Sequence, residues 1–587
     1  MSRFTISPGV NVREVDLSNV IPAVSTSVAG FAGYFQWGPV GRVVSVSNAK
    51  QLAEIFGGPR QGAAFADYNR SFLTAESFLQ YGNQLRVSRA LSPAALSAVA
   101  TEPGSTPLAA ANELQIKGFD DFEDASIPAD VTFVARYPGE LGNSIDVIVT
   151  HADVHDTLAD SDAKDIFNSV LVNEPETSPW AEAEGLENDE VSIVVIDANG
   201  KISGRRGEVL EVFENLSLEE LARTADGQRN YVVDQVNETS RFIYINKSKW
   251  DSFFDKVAEA WTSQFYADSE GYNTTFEFDY GSNDDASVEG AIVEALKLFE
   301  NDELIDISLI FGPSGGFGNQ KVIDEAVIDI ANLRRDCVAF VSAPITSTIT
   351  NSATPNTQKT DEVLSYFEDF NSTSYAVFGS SPVYVYNRYI DEYQWIGSQG
   401  HLAGLCANTD NIADPWFSPA GLNRGHLRSI VKLAINPDKA NRDDLYKNRI
   451  NPIVSMPGQG ILLYGDKTAL SRPSALDRIN VRRLLIVLQK AIATAAKFQL
   501  FELNDDITRT VFINSVEPFL REVQGRRGLT DFEVVCDETN NTPEVIDTNR
   551  FVGDIYIQPA RSINFIGLNF VITRTGVDFA EIIGSNN

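Results

Sequence analysis

"IDISLIFGPSGGFGNQKVIDEAVIDIANLRRDCVAFVSAP" (residues 305–344) changes its apolar period twice. "IDISLIFG" and "CVAFVSAP" are short apolar runs bounded by glycine and proline, the pattern of buried strands, and "QKVIDEAVIDIANLRR" between them has the spacing of an amphipathic helix. Strand, helix, strand within forty residues predicts a βαβ unit and an α/β layer. The reading extends upstream, where "VSIVVID", "YVVDQV" and "RFIYIN" read as strands and "SVEGAIVEALKLFEN" as a helix. Before that, "VTFVARYPGELGNSIDVIV" reads as strand, turn, strand, and "HADVHDTLADSDAKD" as a polar loop. Nearer the start, "VAGFAGYF", "GRVVSVS" and "NQLRVSRAL" read as strands, while "NAKQLAEIFG" and "RSFLTAESFLQYG" read as helices stopped at Gly57 and Gly82. "TSTITNSATPNTQKTDE" reads as a polar linker, and a long helix is expected from about Ser474 to Phe501, with Pro473 and Ser474 suited to its start.

Both ends carry strand patterns. Phe551, Gly553, Ile555 and Ile557 share one face of a strand, as do Leu568, Phe570 and Ile572. At the other end Val10 and Val12 alternate after Pro8-Gly9, with no apolar core of signal-peptide type, and predict an extended arm. Strands near a terminus expose unpaired N–H and C=O groups, so they must be covered in the chain or added to a neighbour's sheet. The presence of such strands at both ends points to a polymer.

The 587 residues are too many for a single core, and 43% hydrophobic residues suffice for several. No apolar run reaches the roughly 18 residues of a membrane helix. Cys337, Cys406 and Cys536 are far apart and odd in number, which suggests neither a disulfide framework nor a zinc site and fits a reducing cytoplasm. A net charge of −34 argues against nucleic acid as the main partner. The charge is polarised: residues 101–200 hold 22 Asp and Glu against 3 Lys and Arg, whereas residues 401–500 hold 7 against 14. An acidic, solvated domain and a basic docking region are expected. On the long helix Arg478, Arg482, Arg483, Lys490 and Lys497 carry the charge while Ile479, Leu484, Leu485, Leu488 and Ile492 supply an apolar stripe, making it the leading candidate for docking on an acidic partner.

Catalytic patterns are weak. Gly312-Pro313-Ser314-Gly315-Gly316 satisfies G-x-S-x-G after a strand, but the glycines that follow delay the helix an oxyanion site requires, and only four histidines could supply a base. A serine hydrolase at Ser314 is the reading from another function class. The same glycines lack the G-K-[ST] ending of a phosphate loop, and "YGDKTA" (464–469) reads as a turn. His151 and His155 lack a convincing third ligand. No catalytic, cofactor or metal site is expected.

Several long stretches are similar to contractile-tail sheath proteins of long-tailed phages. At the start these are "SPGVNVREVDLS", "AGFAGYFQWGPV", "QLAEIFGGP" and "FLQYGNQLRVSRAL", and "ARYPGELGNSIDV" resembles the entry to that family's inserted domain. Later blocks resemble the T4-like members nearly word for word: "GLCANTDNIADPWFSPAGLNRG", "RDDLYKNRINPI", "LLYGDKTA", "DRINVRRLL", "FELNDDITRTVF" and "VVCDETNNTPEVIDTNRFVGDIYIQPARSINFIGLNFVITRTG". "TRTG" stands where related sequences favour "TATG", and the middle of the chain matches less closely. The resemblance implies a multidomain α+β protein, an α/β inner core built from both ends of the chain with β-rich and α/β outer domains inserted. The expected divisions are an arm (1–20), a first sheath part (21–97), an acidic β-rich protrusion (98–190), an inserted α/β domain (191–350), a return linker (351–374), a second sheath part (375–490) and a C-terminal inner domain (491–587). The resemblance further implies a helical homopolymer of stacked rings around a tail tube, with baseplate and terminator proteins as partners, which contracts to drive the tube through the host envelope. It implies strand exchange between subunits through Val10 and Val12 and through Leu568, Phe570 and Ile572. It leaves Arg478, Arg482 and Arg483 as candidates to face the tube, and a virion tail assembled in the host cytoplasm as the location. No cofactor, nucleic acid or membrane insertion is implied, and the sheath of a bacterial injection system derived from a phage is the nearest alternative.

Overall fold

The seven strands that organise the main body run in the order Ile450–Asn451, Ala376–Gly379, Val338–Ser342, Leu309–Phe311, Ala29–Tyr34, Leu85–Ala90 and Val43–Val46. All pair in parallel except the last, which is antiparallel to Leu85–Ala90. They are seen in a computed structural model that describes residues 25–103, 113–155, 158, 161–257, 259–265, 272, 274–284 and 288–564. A parallel sheet needs cover on both faces, which is why its strands are nearly continuous apolar runs. Ile292, Val327, Val363 and Phe367, from helices Val288–Lys297, Gln320–Arg334 and Asn356–Glu368, build the core of one face. Leu52, Phe72, Leu402 and Ile486, from Ala49–Phe56, Ala66–Leu79, Gln399–Ile412 and Ile479–Ala496, build that of the other. Local signals agree with these elements: Asn48 Oδ1 accepts from Gln51 N at 2.9 Å to start one helix, and Gly57, at φ 80°, ends it.

The inserted part begins and ends at the same place. Leu96 and Ser282 exchange both backbone hydrogen bonds, at 2.9 and 3.2 Å. Between them lie a four-stranded sheet (Thr275–Glu277, Ile145–His151, Glu190–Asp197, Glu208–Ser217), a three-stranded sheet (Val99–Thr101, Val131–Ala135, Ile243–Ile245) and a short hairpin (Phe254–Val257, Ala260–Ser263). Phe133, Val147, Ile193, Trp250 and Phe276 share one core across these sheets.

Four expected features differ. The division at 190/191 falls inside an antiparallel pair, Ile145–His151 with Glu190–Asp197, so the insertion is one β-rich domain and not two. Residues from Val288 to Thr350 belong to the seven-stranded body, because Leu309–Phe311 pairs with Ala29–Tyr34; the strand-helix rhythm of the sequence continues across that change of domain without a linker signal. "YVVDQV" lies mostly in a helix, Val232–Thr239. The return linker is largely the helix Asn356–Glu368, opened by Pro355, whose Val363 and Phe367 are buried; the polar residues of its first turns masked that stripe.

A second unit comprises Gln499–Asn587 with Met1–Val20, described here from residue 499 to 564. Its helix Asp506–Gly525 is capped by Asp505, which accepts from Thr508 N at 2.8 Å, and buries Phe512, Val516, Leu520 and Val523 at helical spacing. Leu529–Val535 and Asp554–Pro559 form an antiparallel ribbon. Phe551 lies edge-on to Phe512 with centroids 5.5 Å apart, and a Cβ at Gly553 would meet the Phe512 ring at 2.8 Å, so this approach requires glycine.

Candidate subunit interface

The ribbon of the C-terminal unit is the feature best suited to contact another chain. Its two strands pair only with each other, so each retains an outer edge with no strand against it among the described residues. Ile555 and Ile557 are half-buried and Tyr556 faces solvent, which matches the alternation of the sequence. A two-stranded sheet is marginal by itself and an open edge will take a further strand. Val10, Val12, Leu568, Phe570 and Ile572, the residues expected to exchange, lie outside the described residues.

A second feature was not legible in the sequence. Leu500, Phe501, Leu503 and Ile507 are 63%, 105%, 77% and 74% exposed. Their polar neighbours hold the segment: Asn504 donates to Arg550 O at 2.9 Å and accepts from Arg509 at 3.0 Å. Four large apolar side chains held outward within eight residues are unusual for a surface with nothing to contact. The long helix expected to reach about Phe501 ends at Ala496, so that Leu500 and Phe501, the latter at φ 70°, lie outside it.

The basic helix is placed differently from expectation. Its first turns are enclosed on every side, so Arg482 and Arg483 are 3% and 4% exposed. The Arg482 guanidinium lies over the Tyr375 ring at 4.1 Å and donates to Ser374 Oγ at 2.6 Å. Arg483 donates to Asp410 at 2.6 Å and to the carbonyls of Cys406 and Thr26, each at 3.2 Å. Burial disfavours the Arg483 charge, but adjacent Asp410 more than offsets this and holds its pKa above the usual value. Arg478 is partly exposed, pairs with Asp466 at 2.9 Å and bonds to Tyr446. Two of the three arginines expected at a tube surface therefore spend their donors inside the subunit. Amphipathic spacing shows which faces differ, not which face is outside.

Ser314 is buried, accepts from Gly397 N–H and lies 3.4 Å from Thr74 Oγ1. A Cβ on Gly397 would meet Ser314 Oγ at 2.7 Å, so the serine fills a close contact between segments. His151 and His155, expected on a solvated loop, are buried instead: the first bonds to Asp153 at 2.6 Å and to Asn188 O at 2.8 Å, the second to Thr150 at 3.1 Å. The strand read in "SIDVIV" runs on to His151, the first residue of the stretch expected to be a loop. Among the described residues no three His, Cys, Asp or Glu gather so as to hold a metal, and no helix is long and apolar enough to cross a membrane.

Residues 289–469 match the phage tail sheath protein central domain and residues 471–573 the phage tail sheath C-terminal domain. The tail sheath protein of Enterobacteria phage T4 is 33% identical to this chain, with 99% of each covered. The chain belongs to the phage tail sheath proteins. It is 31% identical to the tail sheath protein of Vibrio phage KVP40, over 99% of this chain and 100% of that one. The crystal structure of the sheath tail protein Lin1278 from Listeria innocua superposes with a TM-score of 0.52 at 10% identity, covering 92% of this chain and 97% of that one, which shows a shared fold. As a sheath protein the chain has a structural role, that of a tail sheath subunit, and its multidomain α+β fold is the one it shares with the Listeria sheath tail protein.

Proposed function

We propose that this subunit polymerises as a helical sheath around a tail tube and contracts to drive the tube through the host envelope, with strand exchange joining neighbouring subunits. The open-edged ribbon of the C-terminal unit carries the proposal. A strand from another chain can complete it by main-chain hydrogen bonds, which tolerate rotation of the joined bodies better than a close-packed side-chain interface. Val10 and Val12 supply the exchanged strand at one end, Leu568, Phe570 and Ile572 at the other. The exposed Leu500–Ile507 segment adds apolar contact between subunits. Contraction then needs only two packings of the same surfaces, with the extended one kinetically trapped, and no cofactor or enzymatic step. The partners are further copies of the chain, the tube, the baseplate and the terminator; the place is the virion tail, assembled in the host cytoplasm. Arg478 remains the tube-facing candidate of the original three.

Negative-stain electron microscopy of the purified chain tests the proposal. Long hollow tubules are expected, with dispersed monomers after deletion of residues 1–24. Tubules unaffected by that deletion would exclude the N-terminal exchange. A Phe501→Ser/Leu503→Ser variant is expected to raise the concentration needed for assembly at least tenfold without lowering the thermal midpoint of the monomer.

A further inference from the structure

Arg483 and Lys490 lie seven residues apart, on one side of helix Ile479–Ala496. Arg483 reaches the short segment that precedes strand Ala29–Tyr34 directly, and Lys490 reaches it only through Ser308. Arg483 donates to Thr26 O at 3.2 Å and to Asp410 Oδ2 at 2.6 Å, and Thr26 Oγ1 donates to that same carboxylate oxygen at 2.8 Å. The pair is almost wholly buried, with side chains 4% and 7% exposed. Lys490 donates to Ile307 O at 2.6 Å and lies 3.3 Å from Ser308 Oγ, and this hydroxyl donates to Ser25 O at 3.0 Å. Two consecutive residues are thus held through three hydrogen bonds, one each to Arg483, to Asp410 on the neighbouring helix Gln399–Ile412 and to Ser308 at the adjoining strand entry. Only beyond them does the regular ladder begin, where Ala29 N donates to Gln84 O at 3.0 Å.

We propose that the Arg483–Asp410 pair is a positional lock that holds Ser25 and Thr26 against the sheath body ahead of strand Ala29–Tyr34. A buried ion pair is a poor device for raising stability, because its desolvation cancels most of its attraction; apolar side chains of similar size often serve as well. It is a good device for specifying position, since a displaced Thr26 would take one donor from Asp410 and one acceptor from Arg483 in a nearly buried site. The lock transmits load: tension on the segment is delivered to a helix packed against the seven-stranded sheet. Its consequence for assembly rests on the strand-exchange reading above; the lock itself does not.

The test attaches a nitroxide to Ser25→Cys, an exposed position, in a chain whose three native thiols are buried. A second label at Asp329→Cys, on the far helix Gln320–Arg334, reports on the body. In Arg483→Met/Asp410→Leu the Ser25 label is expected to tumble at least threefold faster while the Asp329 label is unchanged. Equal restraint of the Ser25 label with and without the pair would overturn the lock, as would equal loosening at both positions. Should the double variant not fold, Thr26→Val decides, because it removes one of the contacts from the segment alone; no gain in mobility there rejects the lock. Tubule formation is scored separately on the unlabelled chain, so that a wild-type chain that never polymerises counts against strand exchange and leaves the label result standing.

Discussion

His401 is fully buried on helix Gln399–Ile412, with Nδ1 3.2 Å from the Tyr81 hydroxyl, and burial pushes its pKa down to about 3. Above pH 6.5 it is neutral whether folded or not. Below that, the unfolded chain takes up a proton that the folded chain refuses, so stability is lost as the pH falls from about 6.5 towards 3. The slope from this one group is about 1.4 kcal/mol per pH unit. His401→Gln is expected to flatten the fall in urea-unfolding free energy between pH 6 and 4 by about that slope. Arg89 is a different kind of buried cation: among the described residues its guanidinium meets no carboxylate, and it donates to the carbonyls of Phe35, Gln36, Gly38 and Pro138. Burial lowers its pKa to about 10. Arg89→Lys presents one ammonium to a site built for a planar fork, and a loss of about 3 kcal/mol in urea unfolding is expected. Neither role shows in the letters. The sequence places Arg89 on a strand, but whether a side chain meets water, a tyrosine or four carbonyls depends on segments far away along the chain.

Helices Ala66–Leu79 and Gln399–Ile412 approach so closely that a Cβ on Gly400 would lie 2.4 Å from Thr74 O and 2.2 Å from Ser77 Oγ. Gly404 meets the Tyr81 ring in the same way, at 2.5 Å. Because the obstruction at Gly400 is backbone, the helices must part to admit a methyl group. Gly400→Ala is therefore expected to destabilise by about 2 kcal/mol despite its better helix propensity, measured by chemical denaturation. At this scale the sequence was largely legible. Asn48 and Gly57 mark the ends of one helix, and "AGFAGY" and "VAFVS" read as buried strands and are; the long helix, expected from about Ser474, starts only at Ile479, because Ser474 caps a separate short turn, Ala475–Asp477, and Arg478 is extended. Asn356–Glu368 was missed because seven polar residues precede its first buried apolar one, Val363, and periodicity needs two turns to register.

At the scale of the whole molecule, the hydrogen bonds between Leu96 and Ser282 make the insertion a loop on a closed stem. Replacing residues 98–280 by a short glycine-rich linker is expected to leave a body that unfolds cooperatively by circular dichroism. Its midpoint should be lower, because Trp37, which packs against Tyr137 and Phe242, and Arg89, which holds Pro138 O, both lose partners. Failure of that body to fold would show the insertion to be integral. The acidic character of the insertion was evident from composition, and its single core was not, since Ile145–His151 pairs with a strand some forty residues later.

By itself the sequence determined most secondary elements of the body, the strand character of Asp554–Ile557, the acidic insertion and, through long matching blocks, the sheath family. Those depend on local periodicity, on caps and on words of sequence, all of which are short-range. Only the tertiary structure decided that residues 288–350 return to the first sheet, that Arg482 and Arg483 point inward, that Ser314 is a packing residue and that Leu500, Phe501, Leu503 and Ile507 stand exposed. Strand order and burial are set by pairing between segments tens to hundreds of residues apart, where the free energy of closing a long loop is met by contacts that no local window contains.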